Sequence, residues 1–303
     1  MERRGFIKKV GLGSTLMGVS GAMSMPSFAA GKAEPTFNMD FAPHFGMFRN
    51  SAPGGIVDEL KFMADQGFRS LEDNGMLKRS VEDQALIGKT LDSLGMRMGV
   101  FVIEGGDNWK VSLTTGKQEF IDTFVDTCKK SVEVAKRVGA KWMTVVPGYF
   151  ERNLPMGVQS GNVIEAFKRG AEVLEPHGLV MVMEPLSDNP DLFLRHADQS
   201  YMICKAVDSP ACKILYDIYH MQRNEGNLIA TMQKTWDEIA YIQIGDNPGR
   251  KEPGTGEINY SNVFKFIHEQ GFKGVMGMEH GNASPGVAGE KALIQAYRKV
   301  DIV

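Results

Sequence analysis

The sequence predicts an α/β protein folded as a single (β/α)8 TIM barrel, and three observations carry that expectation. From residue 37 onward short apolar β-type runs alternate with amphipathic helical stretches. Five of those stretches end in glycine, at Gln66-Gly67, Leu94-Gly95, Val138-Gly139, His177-Gly178 and Gln270-Gly271, where a left-handed turn leads into the next strand. Between residues 180 and 279, four successive runs end in an oxygen-bearing side chain: Glu184, Asp217, Gln243 and Glu279, at intervals of 33, 26 and 36 residues. Each interval is the length of one strand, loop and helix. Parallel strands in a closed barrel bring their ends to one mouth, whereas a doubly wound sheet, the alternative, does not gather four strand ends at one centre.

Taken in chain order, the first 29 residues stand apart. Arg3-Arg4-Gly5-Phe6-Ile7-Lys8-Lys9 precedes a mild, glycine-rich apolar stretch from Val10 to Met25, and Pro26-Ser27-Phe28-Ala29 follows as a small-x-small cleavage pattern. This resembles a twin-arginine export signal cleaved after Ala29, which implies the twin-arginine export machinery as a partner and a periplasmic location. The stretch is too short and too rich in glycine for a span, which needs roughly 20 apolar residues, so no stable membrane insertion is expected. Residues 30–303 are expected to form the one catalytic domain.

Within it, strands are expected at 37–42, 69–73, 97–103, 141–147, 180–184, 213–218, 239–244 and 274–279. Between them amphipathic helices are expected, such as Gly55–Gln66, Val81–Leu94, Gln118–Arg137, Val163–His177 and Tyr260–Gln270. Eight strand-helix units in this length fit a barrel of roughly 250 residues.

Composition narrows the partners. The chain has 303 residues, is 43% hydrophobic and carries a net charge of −3 with both signs mixed along it. No basic stripe suited to nucleic acid or an anionic membrane is present, which leaves a small-molecule substrate; a homo-oligomer remains open. Cys128, Cys204 and Cys212 form no disulfide framework. A Cys204–Cys212 bridge can be drawn in an oxidising compartment, but buried free thiols are the expectation.

The four strand-end groups offer three carboxylates and one neutral carbonyl oxygen. Packed together the carboxylates would repel, and a divalent ion removes that conflict. All-oxygen ligation favours a hard ion, Mg2+ or Mn2+. His220 lies three residues past Asp217, on what reads as the loop leaving the strand. Arg250 sits in a Gly- and Pro-rich loop and suits bidentate contact with a carboxylate or diol. Glu72 and His44, near the ends of the second and first strands, are further substrate-binding candidates.

Met183-Glu184-Pro185-Leu186-Ser187, Asp217-Ile218-Tyr219-His220-Met221-Gln222, Ile242-Gln243-Ile244-Gly245-Asp246-Asn247-Pro248-Gly249-Arg250 and Glu252-Pro253-Gly254-Thr255-Gly256-Glu257-Ile258-Asn259-Tyr260 together resemble the hydroxypyruvate isomerase family of the xylose-isomerase-like barrels. The resemblance implies that Glu184, Asp217, Gln243 and Glu279 hold the metal, that Glu184 and Glu279 move the proton, and that His220 and Arg250 bind substrate. It departs at His280-Gly281-Asn282-Ala283, where the family carries an aromatic residue and Lys-Pro, and at Glu72-Asp73-Asn74-Gly75, which lacks the family's aromatic pair. Both places are expected to touch substrate.

The activity implied is an aldose-ketose isomerase or epimerase acting on a small hydroxy-carbonyl acid or keto-sugar through an enediolate. The alternative is a lyase or hydratase that acts on a 3-keto-glycoside by the same α-proton abstraction. A non-catalytic sugar-binding barrel would have no need of two proton-transfer carboxylates.

Overall fold

The computed structural model describes residues 34–104 and 107–301; the proposed export signal lies outside the described residues. Among the described residues there are nine short strands: β1 Phe41–Ala42, β2 Ser70–Leu71, β3 Arg97–Met98, β4 Val100–Val102, β5 Trp142–Val145, β6 Val180–Met183, β7 Cys212–Asp217, β8 Ile239–Gln243 and β9 Met276–Gly277. Every pairing between them is parallel, in the orders β1-β9-β8-β7-β6-β5-β4 and β2-β3. β3 and β4 are two halves of one strand that changes partner at Gly99. A parallel bridge between His44 and Glu72, with the Glu72 N–H donating to Pro43 O at 2.9 Å, joins the first strand to the second. Eight strands therefore close into a barrel.

A helix follows each strand: α1 Ile56–Asp65, α2 Val81–Leu94, α3 Gln118–Val138, α4 Met156–Leu174, α5 Ala197–Val207, α6 Ile218–Asn224 and α7 Leu228–Thr235 both after β7, α8 Tyr260–Glu269 and α9 Gly286–Val300. The five helix-ending glycines all have positive φ, as expected. Among the described residues no helix is long and apolar enough to cross a membrane.

The two-residue period of a strand sorts the core into two layers. Outward residues such as Phe41, Phe101, Met143, Met181, Ile214, Ile242 and Met276 pack with Leu60, Phe124, Phe167, Ile203, Phe264 and Leu293 of the helices. Inward residues Ala42, Val100, Trp142, Val180, Val182, Leu215, Tyr241 and Val275 form a second, smaller cluster that plugs the barrel. Continuing the same inward register toward the carboxyl ends reaches Glu72, Thr144, Glu184, Asp217, Gln243 and Glu279. Alternation alone thus delivers the polar groups to one mouth.

Two elements differ from expectation. The helix expected from Val163 begins at Met156. Gly157, Ser160, Gly161 and Asn162 make the first turns weak helix formers, and tertiary bonds override that weakness. Gln159 is buried, its amide donating to Glu151 O and Leu154 O and accepting from Glu151 N, while Asn162 donates to Thr114 O. The second difference is α6: the strand expected over 213–218 ends at Asp217, and His220, expected on the loop leaving it, lies in this helix.

Candidate active site

β6 to β9 bring their four terminal groups side by side. Gln243 pairs with Asp217 on one side and with Gly277, two residues before Glu279, on the other. Asp217 does two things at once. As N-cap of α6 its Oδ1 accepts the N–H groups of Tyr219 at 2.7 Å and His220 at 3.1 Å, which leaves Oδ2 to face the mouth. That cap starts α6 directly after the strand, so His220 stands in the first turn of a helix, not on a loop. One ligand atom each of Glu184, Asp217, His220 and Glu279 lies within 4.8 Å of all the others.

Burial sets the charge state of this cluster. It lifts the Glu184 carboxyl well above the usual carboxylate range, and the neighbouring Glu279 and Asp217 charges add to the effect. Glu279 is lifted in the same direction by burial and Asp217, against the pull of Arg250; its side chain keeps 24% exposure, so burial acts on it less completely than on Glu184. Burial works against the charge of Arg250, but Asp217, Glu279 and Glu184 outweigh it and strengthen its hold on the proton.

His220 has no exposure, and burial lowers its pKa in spite of Asp217, so the ring is neutral. Its tautomer follows from Ser187, whose backbone N–H donates to Nδ1 at 3.2 Å with Oγ 2.8 Å away. Nδ1 is therefore the acceptor and Nε2 carries the hydrogen. That Nε2 is buried without a partner, 3.8 Å from Glu184 Oε1 and 3.7 Å from Asp217 Oδ2. A protonated nitrogen cannot ligate a metal but can donate to a substrate oxygen.

Arg250 is delivered by the loop after β8. Buried Asp246 gathers that loop by accepting the N–H groups of Gly254 and Gly256 at 2.8 Å and of Ile258 at 3.1 Å. A methyl on Gly256 would overlap the Asn247 carbonyl, which explains the glycine. Arg250 itself sits at φ +50, held by its N–H to Asp246 O at 2.7 Å. Its guanidinium donates to Glu279 Oε2 at 2.7 Å, Asp217 Oδ2 at 3.3 Å and the Glu279 carbonyl at 3.1 Å.

These groups open onto a cavity of about 360 Å³ that Glu184, His220, Arg250 and Glu279 line together with Asn74 and Thr144. Two predicted substrate contacts do not line it. Glu72 is 1% exposed and lies beneath Gln243, both its oxygens occupied, by Gln243 Nε2 at 2.9 Å and the Tyr241 hydroxyl at 2.9 Å. Burial raises it to about 7, those two hydrogen bonds opposing. His44 turns both ring nitrogens to backbone carbonyls, of Phe45 at 2.9 Å and His280 at 3.1 Å.

The departures from the family pattern resolve in opposite ways. His280, expected to touch substrate, follows the strand alternation outward: its ring stacks on Tyr297 and Nε2 meets the Tyr297 hydroxyl at 2.7 Å. Asn74 does face the cavity and donates to Glu279 Oε1 at 2.8 Å. Sequence reading marked the segment of Asn74 without singling that residue out, and it missed Thr144 and, at the rim, Lys78, Glu104, Trp109 and Asp188. For Thr144 a signal existed, since it shares the inward register of its strand with Trp142. Cys128, Cys204 and Cys212 are buried free thiols, as expected.

The donor set fits a divalent cation. Three carboxylates converge, and Glu184 Oε1 and Gln243 Oε1 are buried oxygens with no hydrogen-bond partner, an arrangement that is costly unless something positive accepts them.

The model of the xylose isomerase-like TIM barrel family matches residues 60–300. Hydroxypyruvate isomerase of Escherichia coli is 34% identical over 176 residues, which are 56% of this chain and 66% of that protein, just under two thirds of its length. The 2-oxo-tetronate isomerase of Cupriavidus necator is 26% identical over 247 residues, 79% of this chain and 92% of that one. Among solved structures, 3-keto-D-glucoside 4-epimerase from E. coli superposes with a TM-score of 0.72 at 19% identity, covering 88% of this chain and all of that one, a likeness of fold. With the family model spanning seven of the eight strands and all nine helices but the start of α1, the chain belongs to the xylose isomerase-like TIM barrel family.

Proposed function

We propose that this protein is a metal-dependent isomerase that moves a proton between adjacent carbons of a small hydroxy-carbonyl acid or keto-sugar. The observation that carries the reading is the pair Glu184 and Glu279: two carboxyls lining one cavity, with Asp217 and the unpartnered Gln243 carbonyl oxygen beside them. Two carboxylates beside adjacent carbons can take a proton from one and return it to the other. The two relatives named above act, by their names, on hydroxypyruvate and a 2-oxo-tetronate, which supports small 2-oxo acids as substrates.

Glu184, Asp217, Gln243 and Glu279 would hold the ion. When bound it supplies positive charge to the carbonyl and neighbouring hydroxyl oxygens of the substrate, where negative charge develops. Glu184 and Glu279 would alternate as base and acid, the C–H bond breaking at one carbon and forming at the next through an enediolate, while the hydroxyl proton passes to the former carbonyl oxygen. His220 donates its Nε2 hydrogen to a substrate oxygen, and Arg250 pairs with the substrate carboxylate, exchanging bonds it otherwise makes to Glu279 and Asp217. The hard-oxygen donors favour Mg2+ or Mn2+.

The test is proton exchange from D2O into hydroxypyruvate and a four-carbon 2-oxo acid, with and without a chelator. Exchange at the hydroxyl-bearing carbon that stops on chelation is expected. An active, metal-free protein would sink the reading.

The reading includes a mature protein in the periplasm, supported by Arg3-Arg4 and the pattern that ends at Ala29. Replacing both arginines with lysine is expected to leave it in the cytoplasm. Equal periplasmic yield on cell fractionation would overturn that part alone.

A further inference from the structure

Glu72 is a buried carboxylate that the reaction leaves unused. It occupies an inward position of the second strand, and its side chain runs across the barrel to two residues of β8. Gln243 Nε2 donates to its Oε1 and the Tyr241 hydroxyl to its Oε2, both at 2.9 Å. Two glycines make the space. A methyl on Gly277 would overlap the Glu72 carboxylate, and one on Gly99 would overlap the Tyr241 hydroxyl. Burying a carboxylate is costly where an apolar side chain would fill the same volume, yet two donors and two glycines are arranged around this one.

We propose that Glu72 is a positioning residue that fixes which end of the Gln243 amide faces the metal site. An amide has a donor end and an acceptor end of nearly the same shape, and only the acceptor can ligate a cation. Glu72 Oε1 accepts from the NH2 group at 2.9 Å, and this bond turns the carbonyl oxygen away. That oxygen, Gln243 Oε1, is left buried without a partner, on the strand between those of Asp217 and Glu279. Tyr241 holds the second carboxylate oxygen and so keeps Glu72 from rotating. This role rests on the metal reading given above, and its own content is the orientation of Gln243.

The test uses Mn2+ alone as probe, added to chelator-treated full-length protein and followed by calorimetry, the Mn2+ resonance spectrum and thermal unfolding of the metal-free form. Glu72→Leu is expected to weaken Mn2+ binding by about 10- to 100-fold, the range for losing a partner that orients a ligand. The variant removes a buried charge but leaves the Gln243 NH2 and the Tyr241 hydroxyl without an acceptor, so thermal unfolding of the metal-free form serves to show that each variant is folded. Glu72→Gln keeps a carbonyl for the Gln243 amide and should stay close to wild type. In a Gln243→Leu background, Glu72→Leu should add nothing, since the two act through one bond. Should Glu72→Leu fail to fold, Glu72→Met carries the same expectations. Tight Mn2+ binding by these apolar variants, or an equal loss with and without Gln243, would overturn the proposal while leaving the metal reading intact. A wild-type protein that bound no Mn2+ would overturn both.

Discussion

The two sides of the barrel mouth are built from different chemistry. β6 to β9 deliver Glu184, Asp217, Gln243 and Glu279, with His220 and Arg250 on the segments that follow β7 and β8. The opposite side, from β2 to β5, turns Asn74 and Thr144 to the cavity and places the Lys78–Glu104 ion pair at its rim. The charged side carries groups able to take a proton and hold a cation, while the neutral side adds a wall with hydrogen-bonding points. The two meet where Asn74 donates to Glu279. Removal of a group should therefore cost far more on one side than on the other.

The largest effect is expected at the charged side. Glu184→Gln and Glu279→Gln each keep an oxygen that can hold the ion but lose the proton acceptor. Turnover should fall by roughly 10²-fold or more, with at least part of the metal retained. Asp217→Ala should lose metal and activity together. Exchange assays paired with metal analysis read both, and wild-type exchange in both glutamine variants would pass the role of base to another group, His220 first.

Across the mouth, Asn74→Ala removes one hydrogen bond to a carboxylate and should lower kcat/KM by about 10-fold, as befits a bond of roughly 1.5 kcal/mol to a charged group. A loss as large as that of Glu184→Gln would dissolve the distinction between the sides.

The smallest effect on turnover is expected at His280, adjacent to Glu279 but facing outward. Burial lowers its pKa from 6.5 to about 3. Between those values the unfolded chain binds a proton that the folded one does not, so stability is complete above about pH 6.5 and falls as pH drops toward 3. His280→Gln should flatten the acid side of the unfolding profile and leave kcat near wild type. An unchanged profile would show that another group sets the acid limit.

The same division governs what was legible in the sequence. The charged side could be read because its groups end apolar runs at regular intervals, and the glycine stops could be read because a left-handed turn demands them. Glu72 shows the limit. Its position at a strand end suggested the cavity, but whether a strand-end side chain rises to the mouth or crosses the barrel depends on what faces it, here Gly277. Asn74 and Thr144 are common polar residues whose direction comes only from the closed register. His280 was misplaced because the family comparison marks a position, whereas the alternation of the strand decides which way it points. The start of α4 was hidden for another reason, since its helix is held by Gln159 and Asn162 and not by local propensity.

Asp217 ties folding to chemistry in one side chain. Because its Oδ1 begins α6 and its Oδ2 faces the mouth, the first turn of the helix and the geometry of the pocket belong to one cooperative unit. A local opening that frees the Tyr219 and His220 amides would also take from Asp217 the bonds that Oδ1 accepts, leaving the carboxylate to Arg250 alone. Fraying of α6 would thus loosen His220 and one anchor of Asp217 together. Whatever slows that fraying also lengthens the time for which the pocket is whole.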